Sequence, residues 1–230
     1  MEKLEVFKNY VSSGQAKEYR RIDTPFNKKY GRDLLNSKEL LKILDVGCGD
    51  GSFVKYLSQT NDVVGIDISS EQINLAKSKG LKNVFCIDVK DYLININDCF
   101  DYIFFVDVLE HLKYDDLFEV LNASKKALKD NGSIIIRVPN GEGIIYGHIL
   151  FGDITHERAY TCSSFNQISN LSGFSKCNVY EEQPYVYSFS SLIRRLFWII
   201  LSFPFRIIHF AERGTLKVYL TQNIVIQLFK

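Results

Sequence analysis

Residues 152–161 read GDITHERAYT, which crowds Asp153, Thr155, His156, Glu157 and Arg158 into one short polar stretch. A second set, Asp107, Glu110 and His111, has the spacing D-x-x-E-H. Histidine is the side chain best poised to exchange a proton near neutral pH, so His111 and His156 are candidate bases. Glu110 and Asp153 complete the candidate catalytic set. Asp107, Glu110 and His111, joined by His156, also offer the donor types of a metal site, and metal use stays open because L-E-H can equally begin a helix. The polar stretch has a structural alternative of its own. Thr161 with Ser164 fits the cap of a helix starting near Cys162, and charged residues before a cap are often merely solvated.

A third group lies earlier, in ILDVGCGDG, where an apolar run reaches Asp45 and passes into Gly47, Gly49 and Gly51. Glycines after a strand let the backbone turn tightly and let a ligand approach the following helix. The spacing is G-x-G-x-G and not the dinucleotide G-x-G-x-x-G. Asp45 would serve a pyrophosphate poorly and an ammonium group well. Asp67 follows the glycines by about 20 residues, where a carboxylate can accept both hydroxyls of a ribose. Asp88 can accept from an adenine amino group while the Val89 N–H meets a ring nitrogen. Together these describe an adenosine with an amino-acid tail and no phosphates.

The elements that must position these residues are legible as alternation. The runs KILDVG (42–47), VVGID (63–67), VFCID (84–88), YIFFVD (102–107) and SIIIRVP (133–139) are nearly continuous in apolar character, as strands buried on both faces are. Helix signals lie between them. Ser69 and Gln72 fit a capping box with Gly80 as the stop, and Asp115 and Asp116 precede an amphipathic run expected to end at Asn131-Gly132. Alternating strands and helices specify an α/β, Rossmann-like, doubly wound fold. Beyond residue 140 the order expected is the polar stretch, a helix (162–172), a strand (177–182), a long apolar segment and a last strand, NIVIQLF (223–229).

The bulk properties fit one domain. The chain has 230 residues, 46% hydrophobic and 24% charged, and a formal net charge of +1, so nucleic acid is not favoured as a partner. Five scattered cysteines without a C-x-x-C pair read as reduced thiols of a cytoplasmic protein. No signal-peptide core is present at the N-terminus, and LFWIILSFPF (196–205) is too short to span a bilayer.

The ordered set ILDVGCGDG, GIDIS, CIDVKDY, FDYIFFVDVLEHL and GSIIIRVPN resembles the class I S-adenosylmethionine-dependent methyltransferases over about residues 40–182. The resemblance implies a seven-stranded sheet of order 3-2-1-4-5-7-6 with the last strand antiparallel. It assigns Asp45, Gly47, Gly49 and Gly51 to the methionine part of S-adenosyl-L-methionine, Asp67 with Ile68 to the ribose, and Asp88 with Val89 to the adenine. Val106 and Asp107 would flank the sulfonium. On this reading 1–40 is an N-terminal helical cap containing Tyr10, Tyr19, Arg20 and Tyr30, 41–182 the cofactor-binding core, 183–222 an insertion and 223–230 the final strand.

The fourth strand lacks the N-P-P-Y type of motif with which similar enzymes grip an amine, so a hydroxyl acceptor is expected. Acidic-x-x-Glu-His sets similar to this one occur in metal-assisted small-RNA 2′-O-methyltransferases and in quinone O-methyltransferases. The G-D-x-T-H-E-x-A-Y-T string looks like enzymes of bacterial surface-polysaccharide biosynthesis. That implies a sugar or glycan acceptor, such as a nucleotide sugar, with a quinone, lipid or RNA acceptor, or a non-catalytic binding module, as alternatives. The segment 190–214 is expected to be a core or homodimer-interface helix that Pro204 kinks or ends, against a lid or a peripheral membrane contact.

Overall fold

The structure is a computed structural model that describes Phe7 and residues 30–230. Of the expected N-terminal cap, Tyr10, Tyr19 and Arg20 lie outside the described residues. Strands β1 (Lys42–Val46), β2 (Asp62–Asp67), β3 (Val84–Cys86), β4 (Phe100–Val106), β5 (Leu128–Pro139), β6 (Lys176–Glu181) and β7 (Asn223–Phe229) form one sheet in the order β3-β2-β1-β4-β5-β7-β6. β1 to β5 pair in parallel, and β7 runs antiparallel to both β5 and β6. The order expected from the resemblance is therefore the order observed.

Successive residues of a strand point to opposite faces, and here both faces are covered. Leu44, Phe105 and Ile226 enter one apolar core, while their neighbours Ile43, Phe104 and Val225 enter the other. That two-sided burial is why the strands read as unbroken apolar runs. The helices that cover the sheet and its edges are α1 (Arg32–Leu35), α2 (Ser52–Leu57), α3 (Ser70–Ser78), α4 (Val89–Leu93), α5 (Tyr114–Ala127), α6 (Tyr146–Leu150), α7 (Cys162–Leu171) and α8 (Phe189–Arg213). A single 3-10 turn, Leu109–His111, follows β4.

Local signals mostly act as their chemistry requires. Thr161 and Ser164 close a reciprocal capping box on α7. Ser69 makes half of one, accepting from the Gln72 N–H, because its own N–H is taken by Asp67. Two expectations are corrected. Asn131-Gly132 does not end α5; Leu128 is already extended and pairs with Phe100, so the dipeptide falls within the span of β5, at a register shift. Pro204 does not end α8, which has its own capping box at Ser188 and Ser191 and runs on to Gly214. Nor is α8 a core helix, since its buried residues are Ser191 and Ser202.

The turn out of β1 needs glycine at particular places. Gly47 has φ of 70°, and a Cβ there would lie 2.4 Å from Cγ2 of Val108. The left-handed strain and the clash add, so Gly47→Ala is expected to cost roughly 1–3 kcal/mol in chemical denaturation. A loss below about 0.5 kcal/mol, the usual scatter of surface substitutions, would show that the turn relaxes.

Candidate active site

The residues expected to hold the cofactor collect at the carboxyl ends of β1, β2, β3 and β4. Asp45 is buried at 3% exposure near the end of β1. Gly47 and Cys48 donate their N–H groups to the Ile66 carbonyl, which ties the turn to β2. Asp67 then stitches two loops together: one oxygen accepts the Gly49 N–H at 2.9 Å, the other the Ser69 N–H at 2.8 Å. Ile68 beside it is half-buried. Asp88 caps α4 through the Lys90 N–H at 2.8 Å. That puts the Val89 N–H in the first turn, among donors with no partner inside the helix. Val106 is buried at the end of β4. Among the described residues a Cβ on Gly49 would meet nothing nearer than the Gln72 amide at 3.8 Å, which makes the middle of the glycine turn a cradle. This set fits a nucleoside with a charged amino-acid tail.

Asp107 is tied to the neighbouring strand. It adopts φ of 56°, and the Arg137 guanidinium grips both its carboxylate oxygens, one at 2.6 Å. Arg137 also donates to Glu182 at 2.7 Å, making a chain of three charges between the ends of β4, β5 and β6. The first position of the D-x-x-E-H reading is thereby corrected as a metal ligand. Asp107 is drawn to Arg137, and among the described residues the compact donor group contains Glu110, His111 and His156.

In that group one ligand atom of each residue lies within 4.8 Å of the others, and the two imidazole rings stand 4.8 Å apart. The hydrogen bonds around the rings fix their protons. His156 Nδ1 lies 3.1 Å from the carbonyls of both Ile149 and Leu150. Carbonyls only accept, so Nδ1 carries the hydrogen and Nε2 carries the lone pair of the neutral ring. On His111 the same result comes through an intermediary. Thr155 Oγ1 donates to Asp153 at 2.5 Å, and with its one hydrogen so used it accepts from His111 Nδ1 at 2.9 Å. Phe7 meets the His111 ring edge-on, with centroids 5.4 Å apart. Asp153, a candidate catalytic residue in the sequence, is thus placed one residue back from the chemistry, as a group that orients His111.

Glu110 is 1% exposed, and its Oε2 has no hydrogen-bond partner among the described residues. Burial, and after it the Asp107 carboxylate, push this carboxyl well above the usual carboxylate range. An oxygen so placed needs a proton or a cation beside it.

The loop that carries His156 is pinned on both sides. The Glu157 N–H donates to the Glu110 carbonyl at 2.8 Å, and the buried Tyr160 hydroxyl donates to the Leu109 carbonyl at 2.9 Å. Tyr160 also pairs its backbone with Pro139 and Gly141, so the loop returns alongside the end of β5. Thr155, Tyr160 and Arg137 were not among the candidate residues. For Thr155 a signal existed, since D-x-T is a spacing at which an Asp side chain turns back on its own backbone. Asp153 does so, accepting the Thr155 N–H at 2.8 Å.

Comparison with known proteins bears on the family and the fold. Residues 44–136 match the family model described as a methyltransferase domain. A ubiquinone biosynthesis O-methyltransferase of Bartonella tribocorum is 32% identical over 117 residues, 49% of this chain and 47% of that protein. The cyclopropane-fatty-acyl-phospholipid synthase of Escherichia coli K12 is 35% identical over 97 residues, 40% of this chain and 25% of that protein. The chain thus matches about half the length of such relatives or less. A S-adenosylmethionine-dependent methyltransferase structure from Archaeoglobus fulgidus superposes with a TM-score of 0.72 at 20% identity, covering 96% of this chain and 99% of that one, which supports the fold. With the cradle of glycines, Asp67 and Asp88 on this sheet, residues 44–136 are similar to the methyltransferase-domain family, on a Rossmann-like methyltransferase fold.

Proposed function

We propose that the chain is an O-methyltransferase whose acceptor is a hydroxyl of a quinone-type or lipid-type molecule, with Glu110, His111 and His156 as the proton-accepting centre. The observation that carries this reading is the pair of imidazoles with Nδ1 occupied, set beside a buried carboxylate. A hydroxyl is a weak nucleophile until its proton leaves, and a neutral imidazole nitrogen is suited to take it. The names of the relatives, one in ubiquinone biosynthesis and one acting on phospholipid, favour this acceptor class over the sugar or glycan that the GDITHERAYT string suggested.

S-adenosylmethionine supplies a methyl group on a positively charged sulfur, which departs as a neutral thioether. Asp45 and the glycine turn hold the amino-acid end, Asp67 with Ile68 the ribose, and Asp88 with Val89 the adenine. With the cofactor bound, His156 Nε2 would accept the proton that the acceptor hydroxyl loses on methylation. His111, oriented by Thr155 and Asp153, holds the acceptor oxygen or shares the proton. Glu110, buried beside the imidazoles, donates to the acceptor oxygen when it carries its proton, or helps to hold a cation when it does not.

The same three residues fit a divalent cation. Two neutral imidazoles, each held at Nδ1 by an outer partner, with one buried carboxylate, are a common donor set for such ions. A bound cation would supply Lewis-acid lowering of the hydroxyl's pKa.

Two outcomes test the proposal. His156→Ala and Glu110→Gln should each lower turnover of an isoprenoid-tailed hydroxybenzene by roughly 100-fold or more, the usual size of a general-base contribution. Cofactor affinity, read by calorimetry, should stay within about threefold, a change below 1 kcal/mol. Turnover that survives both changes, or uniform inactivity with such acceptors and full activity with nucleotide sugars, would refute the reading. For the cation, thermal unfolding after chelation should shift upward when Mg²⁺, Mn²⁺ or Zn²⁺ is restored, and Glu110→Gln should lose that shift. No shift with any of the three would leave the histidines acting alone.

A further inference from the structure

Helix α8 is built inside out. Its inward-turned positions are Ser191, Arg195, Trp198, Ser202, Arg206 and His209, spaced three or four apart along one face. That is the arrangement of a buried stripe, yet five of its six residues are polar. Arg206 holds Glu181 at the end of β6 with two bonds of 2.8 and 2.9 Å and donates to the Val218 carbonyl, and Arg195 reaches the Pro184 carbonyl. The apolar residues point away from the protein. Phe197 is 58% exposed, Ile200 64% and Phe203 54%, and Leu196, Ile207 and Phe210 are similarly open. At about 100° per residue the exposed apolar positions sweep roughly 200° of the helix circumference. Over 25 residues the helix is roughly 37 Å long.

We propose that α8 docks the protein onto an anionic lipid bilayer, lying in the headgroup region with its outward face among the acyl chains. Three observations choose this occupant. First, the arc is convex and wider than a protein groove can line, whereas a fluid surface closes around it. Second, the exposed charged residues of 183–217 are Arg194, Arg213 and Lys217 against the single acid Glu212, while Arg195 and Arg206 face the protein. Basic residues beside an apolar face draw a helix to negative headgroups, and their long stems let the charge stay at the polar boundary. A second copy paired about a two-fold axis would set this positive patch against itself. Third, the apolar surface continues toward the active site. Glu181, gripped by Arg206, accepts the Leu220 N–H at 2.7 Å, and the Leu220 carbonyl accepts the Ile144 N–H at 3.1 Å. From there the exposed Ile144, Ile145, Tyr146, Phe151 and Ile154 lead to His156. Among the described residues no helix is long and apolar enough to cross a membrane, so the contact is with the surface.

The docking itself does not depend on the reaction. Delivery of a lipid-borne acceptor along Ile144 to Ile154 rests on the function proposed above.

The test uses the full chain with vesicles of phosphatidylcholine containing 30% phosphatidylglycerol, and with pure phosphatidylcholine, read by co-sedimentation. Binding should be at least tenfold stronger on the anionic vesicles. The double substitution Phe197→Glu with Ile200→Glu should abolish it, and Arg194→Glu should remove the preference for anionic lipid. Both leave cofactor affinity unchanged, because α8 is not part of that site. A protein that stays in the supernatant would overturn the proposal, as would binding untouched by the double substitution. A stable dimer that this substitution disperses would assign the face to a second copy. Vesicle binding without turnover of any lipid acceptor would leave docking standing and refute only the proposed function.

Discussion

The site depends on where a single carboxyl group is kept. Glu110 sits in a short 3-10 turn directly after β4, at 1% exposure, with one oxygen lacking a hydrogen bond among the described residues. An unpartnered carboxylate there would cost several kcal/mol in effective terms, so the group is kept with a proton or a cation, and its surroundings impose the turn. They do so covalently through β4 and non-covalently through the loop beyond β5. The Glu157 N–H and the Tyr160 hydroxyl bond the carbonyls of Glu110 and Leu109. Removing either tie would release the turn and separate the two histidines it brings together.

The sheet order explains why the two halves of the site meet. The chain winds outward from β1 through β2 to β3 on one side, then returns to β4 beside β1 and winds the other way. Loops at the carboxyl ends of β1 and β4 leave in opposite directions and open a crevice there. The residues assigned to the cofactor come from the ends of β1, β2, β3 and β4, and the histidines from the loops after β4 and β5. On the proposed reading one half takes the nucleoside and the other the proton.

Much of this was legible because it is local. The strands showed as apolar runs, the glycine turn as a spacing, and the α7 cap as Thr161 with Ser164. Asp107 could not be read, because its fate is set by Arg137, thirty residues on and in the neighbouring strand. The Asp153–Thr155–His111 chain spans forty-four residues between its last two members, and no periodicity encodes such a contact. Segment 190–214 was legible as a helix and illegible in its orientation. Apolar residues run most of the way round it, and the stripe that faces the protein is the minority polar one. The usual inference from apolar to buried fails in such a case.

The proposed chemistry requires both imidazoles to carry their proton on Nδ1. Long-range proton–nitrogen correlation spectra of ¹⁵N-histidine-labelled protein report this directly. The result expected is an Nδ1–H tautomer for both His111 and His156, with His111 switching when Thr155 is replaced by Val. An Nε2–H tautomer at His156 would contradict the account, since that nitrogen could then neither accept a proton nor hold a cation.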